Sequence, residues 1–237
     1  MAGKPLNAGT KVWLVTVDMG YGHQRAAYPL HSLAYKKVVD INNYEGMPES
    51  DKKIIEGLEK SYNAISRFKK IPFIGEPIYA LYDKLQEIRP FDPKKDMSRP
   101  TFQTYFGSKV MKQRGWGKHL INKLATEKQL PYLTTFFSPA HMADLHGYPG
   151  EIYCVLCDTD ISRDWVAVKP KQSRIKYFAP NQRTVQRLQC YGVPKERIFL
   201  TGFPMPDELV GGPGAPTART DLAKRLANLD PKGAYLS

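Results

Sequence analysis

Six short apolar runs constrain the fold more than any other feature of the sequence. They are VWLVTV (residues 12–17), KVVDI (37–41), LTTFF (133–137), IYCVLC (152–157), RIKYFA (174–179) and RIFLT (197–201). A short, continuous apolar run bounded by turn residues reads as a strand buried on both faces, which is what parallel sheets require. Parallel strands need crossover connections, and several intervening segments have helical composition. Residues 24–35 do so despite Pro29, where a kink or late start is expected. Residues 51–70 keep Ile54, Leu58, Tyr62 and Ile65 on one face, and residues 77–88 have a similar spacing. A further helix is expected over 111–129, weakened at its start by Gly115 and Gly117. Pro139 can open a helix that Gly147 ends, and a helix over 181–190 is closed by Gly192. RPFDPKKDMSRP (89–100) reads as a connector. The order β, α, β, helices, β, α, β, β, α, β argues an α/β fold with a doubly wound, mostly parallel sheet and a helical insertion over about residues 50–130.

The 237 residues allow one large domain or two small ones. No stretch approaches the roughly 18 apolar residues that span a bilayer, and the first residues lack a signal-peptide core, so the cytoplasm is the expected compartment. Three cysteines, an odd number, do not make a disulfide framework. The net charge of +12 must lie on the surface and implies an anionic partner. Nucleic acid, an anionic lipid surface and a phosphorylated small molecule all satisfy that condition.

VDMGYGHQRAA (17–27) follows the first strand and holds Gly20, Gly22 and His23 where a strand turns into a helix. A dinucleotide fingerprint needs a third small residue, and Arg25 stands there instead. Asp40, at the end of the second strand, could still mimic the acidic ribose ligand of an NAD site. His23 on an arbitrary turn would be a surface residue without chemistry. Its place at a strand's carboxyl end argues otherwise, because ligands of open α/β sheets bind in the crevice outside those ends. There an imidazole titrating near neutrality is suited to take a proton from an attacking hydroxyl.

GYGHQRAA (20–27) after a strand resembles the G-x-G-H loop of GT-B glycosyltransferases, especially the monogalactosyldiacylglycerol synthase and diacylglycerol glycosyltransferase group. TDISRDW (159–165), KYFAP (176–180), LQCYGVPKERI (188–198) and TGFPMP (201–206) resemble that group's later motifs in the same order. The likeness covers about residues 11–42 and 132–206, and the segment between Asp160 and Trp165 lacks the group's usual histidine. It implies a Rossmann-like GT-B amino-terminal domain over residues 1–206. Residues 207–237, with the linker LVGGPGAP (209–216) and a helix over 217–229, would lead toward a carboxyl-terminal donor-binding domain that this chain does not contain. The implied chemistry is an inverting sugar transfer from a nucleotide-sugar donor to a lipid-like or other hydroxyl acceptor. His23 would be the base, Gly20 and Gly22 the floor of the acceptor cleft, and Asp160 and Trp165 acceptor contacts. No cofactor and no metal are implied. The alternative of another class is a noncatalytic subunit that docks to a membrane or binds the acceptor and recruits a separate catalytic half.

Other constellations read as structural. Cys154 and Cys157 lie on a predicted strand and are expected in the core rather than in a redox or zinc site. His141 and His146 are expected on a helix above the sheet, and SPAH (138–141) lacks the elbow of a serine hydrolase. Asp158, Asp160 and Asp164 are read as a solvated loop in preference to a cation site. Between Lys84 and Lys128 eleven Lys or Arg stand against four acids, with Phe91, Phe102, Tyr105, Phe106 and Trp116 interleaved. That mix suits either an anionic membrane surface on the cytoplasmic face or ordinary solvated helices. Nucleic-acid binding is the minor alternative, because no recognition signature accompanies the charge.

Overall fold

The continuous apolar runs become strands of one parallel sheet. The computed structural model describes residues 9–18, 21–68 and 88–206 with Thr220, Asp221 and Lys224; for Tyr21, Glu59 and residues 61–68 it describes the backbone alone. Gly20, most of the helix expected over 77–88 and the linker at 209–216 lie outside the described residues. The chain divides into two compact units, Met1–Phe203 and Pro204–Ser237. In the second, Thr220, Asp221 and Lys224 are helical.

Six strands, β1 (Trp13–Thr16), β2 (Val39–Asp40), β3 (Tyr132–Thr134), β4 (Ile152–Val155), β5 (Ile175–Ala179) and β6 (Ile198–Leu200), form a sheet in the order β2-β1-β3-β4-β5-β6. Every neighbouring pair is parallel, with Val15 opposite both Val39 and Thr134, and Cys154 opposite both Thr134 and Tyr177. This is a Rossmann-like, doubly wound α/β fold. All of β1 and β3 is buried, which is why their sequences show no polar alternation.

Two hydrophobic layers sandwich the sheet. Trp13, Val15, Tyr132, Ile152, Cys154, Ile175 and Tyr177 share one layer with residues of the helices that follow β2 and β3. Val12, Leu14, Leu133 and Val155 face the other, against Ala27 and Ala34. Helix α1 (Tyr21–Ala27) covers that second face, and a 3-10 helix (Tyr28–Leu33) continues it. The first helix thus starts three residues before the expected position, and Pro29 sits near the start of the 3-10 turn, where a missing N–H leaves no bond unmade.

The middle region carries α2 (Glu49–Phe68), α3 (Phe102–Arg114) and α4 (Lys118–Glu127). The single helix expected over 111–129 is therefore two. Gly115 and Gly117, at φ +68° and +82°, separate them in a left-handed backbone that other residues rarely adopt. Helix α3 escapes periodicity because it buries only Thr104 and Met111. Helix α5 (Phe137–Leu145) begins two residues before Pro139, and α6 (Gln182–Cys190) is capped by Asn181, whose side chain accepts from the Thr184 N–H. Among the described residues no helix is long and apolar enough to cross a membrane.

Candidate functional site

The strand order reverses between β1 and β3: the chain leaves β1 toward one edge of the sheet and returns through β3 toward the other. Such a switch point leaves a crevice beyond the carboxyl ends of the two strands. Thr16 ends β1 and Thr135 follows β3; their hydroxyls lie 3.2 Å apart and tie the two ends together. The Thr135 hydroxyl also donates to the carbonyl of His23 at 3.0 Å, which pins the first turn of α1 to the end of β3.

His23 precedes Ala26 and Ala27, both buried, by three and four residues, so it shares their side of the helix one turn higher. This puts the imidazole over the strand ends, half-buried against Phe136 at a ring-centroid separation of 4.4 Å. Trp165, from the 3-10 turn Arg163–Trp165, stands 6.1 Å from the imidazole and packs edge-on against Phe136 and Phe137. Nδ1 of His23 lies 3.1 Å from Sγ of Cys157.

Burial pushes the imidazole pKa below its ordinary value, against the pull of the Asp158 carboxylate and the Thr135 backbone. Burial therefore disfavours the protonated form of His23. The Cys157 thiol is pushed up to about 12, first by burial and then by the Asp158 charge, so it remains a thiol and not a nucleophilic thiolate. Partial desolvation pushes the Asp158 carboxyl up, and His23 opposes that shift. A protonated His23 would thus find its counter-charge in Asp158.

Sequence reasoning put Cys157 in a strand core and Asp158 in a solvated loop. Strand β4 ends at Val155, which frees Cys157 to reach the histidine; Asp158 is exposed in the loop that follows, as expected, and acts on His23 through its charge. The only sequence signal was their place at the end of an apolar run and directly after it, where strand ends deliver ligand-facing residues.

Of the residues named from the resemblance, His23 and Trp165 come together. Gly20 lies outside the described residues. Gly22 belongs to the first turn of α1, and a Cβ there would meet nothing within 4 Å, so packing makes no demand for glycine. Asp160 is engaged elsewhere: it accepts from Nε of Arg183 at 2.9 Å and from Nη2 of Arg187 at 2.7 Å, and Arg187 is almost wholly buried. Asp164 is buried as well, accepting from the hydroxyls of Thr101 and Thr104. Neither belongs to a solvated loop or an open cation site, and no cluster of three metal-binding side chains occurs among the described residues. The end of β6 lies four strand spacings from β1, about 19 Å.

On the opposite side of β1 the rim is acidic. Asp18 accepts from Gln24 Nε2 at 2.8 Å, its own N–H donates to Asn42, and Asn42 in turn donates its N–H to Asp40. Burial pushes the Asp40 carboxyl up, and its Oδ1 is spent on its own loop. A dinucleotide site would need a glycine loop ahead of the helix, whereas here the second glycine is already inside it.

No known protein family, curated protein or solved structure matches the chain.

Proposed function

We propose that this chain carries the acceptor side of an inverting glycosyltransferase, with His23 as the general base. The observation that carries the reading is the imidazole placed over the β1/β3 switch point, with Nδ1 3.1 Å from Sγ of Cys157 and the Asp158 carboxylate acting on it through its charge. The ordered succession of sequence motifs supports the same reading.

Base action needs Nδ1–H donated to the Cys157 sulfur, which leaves the Nε2 lone pair for the acceptor hydroxyl. As the hydroxyl oxygen bonds the anomeric carbon, its proton passes to Nε2. The bond from that carbon to the donor phosphate breaks, and the electron pair leaves on the nucleoside diphosphate. Asp158 then stabilises the imidazolium. Phe136 and Trp165, both buried, back the imidazole with an apolar wall.

The test is release of nucleoside diphosphate by the full-length gene product from a panel of nucleotide sugars, with and without lipid acceptors. His23→Ala should lower turnover about 100-fold or more and leave donor affinity nearly unchanged, because a base acts in the transition state. Unchanged turnover would remove His23 from the chemistry, and no release from any donor would end the reading.

A further inference from the structure

Helix α3 carries its large apolar side chains on the outside. Phe102, Tyr105 and Phe106 are 69%, 57% and 55% exposed, although rings of this size are ordinarily drawn into a core or interface. Successive helical residues turn by about 100°. Phe102, Tyr105, Phe106, Lys109 and Lys112 therefore form one stripe, opposite the buried Thr104 and Met111. Phe102 and Phe106 stack at 5.9 Å, and with Tyr105 they make a continuous apolar wedge. Lys109 and Lys112 extend it, both exposed, and the helix contains no acidic residue. Phe91 and Trp116 do not belong to the patch: Phe91 lies under the guanidinium groups of Arg183 and Arg187, and Trp116 packs on the core.

The stripe is held in place from behind. Thr101 caps the helix, Thr101 and Thr104 both donate to Asp164, and Met111 enters the core. Asp164 directly precedes Trp165, so the turn that anchors α3 also supplies the wall beside His23. An exposed wedge of rings edged by lysines matches a bilayer surface, where rings enter the interface and cations meet the headgroups. A single nucleic-acid strand would instead stack its bases on separate open ring faces, and Phe102 and Phe106 occupy each other's.

We propose that the α3 face formed by Phe102, Tyr105, Phe106, Lys109 and Lys112 docks the protein onto an anionic bilayer. This contact goes beyond the transfer chemistry and does not require it. It would hold the Trp165 wall close to the surface from which a lipid-borne hydroxyl arrives.

Flotation of the whole chain with phosphatidylcholine vesicles, with and without phosphatidylglycerol, tests the proposal. Recovery is expected on the anionic vesicles only, and it should fall as salt rises. K109Q/K112Q should weaken partitioning about 25-fold at low salt, since each cation near an anionic surface contributes a factor of about five. F102S/Y105S/F106S should abolish flotation with an unchanged melting temperature, because the three rings are exposed. Equal recovery on neutral vesicles, or either variant floating like the wild type, overturns the proposal. Binding of single-stranded RNA that is lost in the same variants, without flotation, overturns it in favour of nucleic acid. His23→Ala should float like the wild type, so a failure of the transfer reading leaves this result standing.

Discussion

Nδ1 of His23 sits 3.1 Å from Sγ of Cys157, joining the first turn of α1 to the loop that follows β4. The two residues are 134 positions apart in the chain. A thiol is a weak partner; burial is the main influence on how readily the ring takes a proton, and the Asp158 carboxylate opposes it.

The titration of His23 follows from that arrangement. Its midpoint, followed by NMR of the ring protons, should lie below 6.5 because burial disfavours the cation. Asp158→Asn should lower it further, since the carboxylate is what raises it. A midpoint that stays put or rises in that variant would mean the two groups do not interact.

His141 makes the fold sensitive to acid. It is buried in α5 with Nε2 unpartnered, and burial brings its pKa down to about 4. A lowered histidine pKa means that the unfolded chain binds the proton first, so the contribution is complete above pH 6.5 and is lost as pH falls toward 4. Urea unfolding should show that His141→Leu is spared about 2–3 kcal/mol of the destabilisation the wild type suffers between pH 7 and 4.5. Parallel losses in both proteins would clear His141 of this role.

Asp160 separates a structural role from a binding one. Burial acts against its charge, but Arg187 and Arg183 hold the carboxyl below the usual range. Asp160→Asn leaves Arg187 buried without its counter-charge and should cost about 3 kcal/mol of stability. A variant of native stability with a raised acceptor KM would instead return Asp160 to the acceptor site.

Gly117 has no substitute. At φ +82° a side chain is strained, and a Cβ would approach Sδ, Cγ and Cβ of Met142 at 2.5, 2.6 and 3.0 Å. Because even Cβ of Met142 is in the way, rotating its thioether does not relieve the contact. Gly117→Ala should destabilise the protein by about 2–4 kcal/mol in thermal or urea unfolding. Gly22→Ala, with open space around it, should lower stability far less.

The strands and their order along the chain were legible because strands buried on both faces must be apolar throughout, and VWLVT and IYCV carry that mark locally. Helix α3 was not legible, since a helix that buries only Thr104 and Met111 has no apolar period to read. The role of Asp160 was hidden for a related reason: its partner Arg187 lies on another element, 27 residues away.

By itself, then, the sequence determined an α/β alternation, a surplus of surface cations and a histidine at the end of the first strand, because hydrophobic period and turn chemistry act over a few residues. Only the tertiary structure decided that β1 and β3 are neighbours, that Cys157 meets His23, and that Asp160 and Asp164 are spent on the fold. Those outcomes depend on strand order and on where each strand stops, which are settled by burial and hydrogen bonding between segments far apart in the chain.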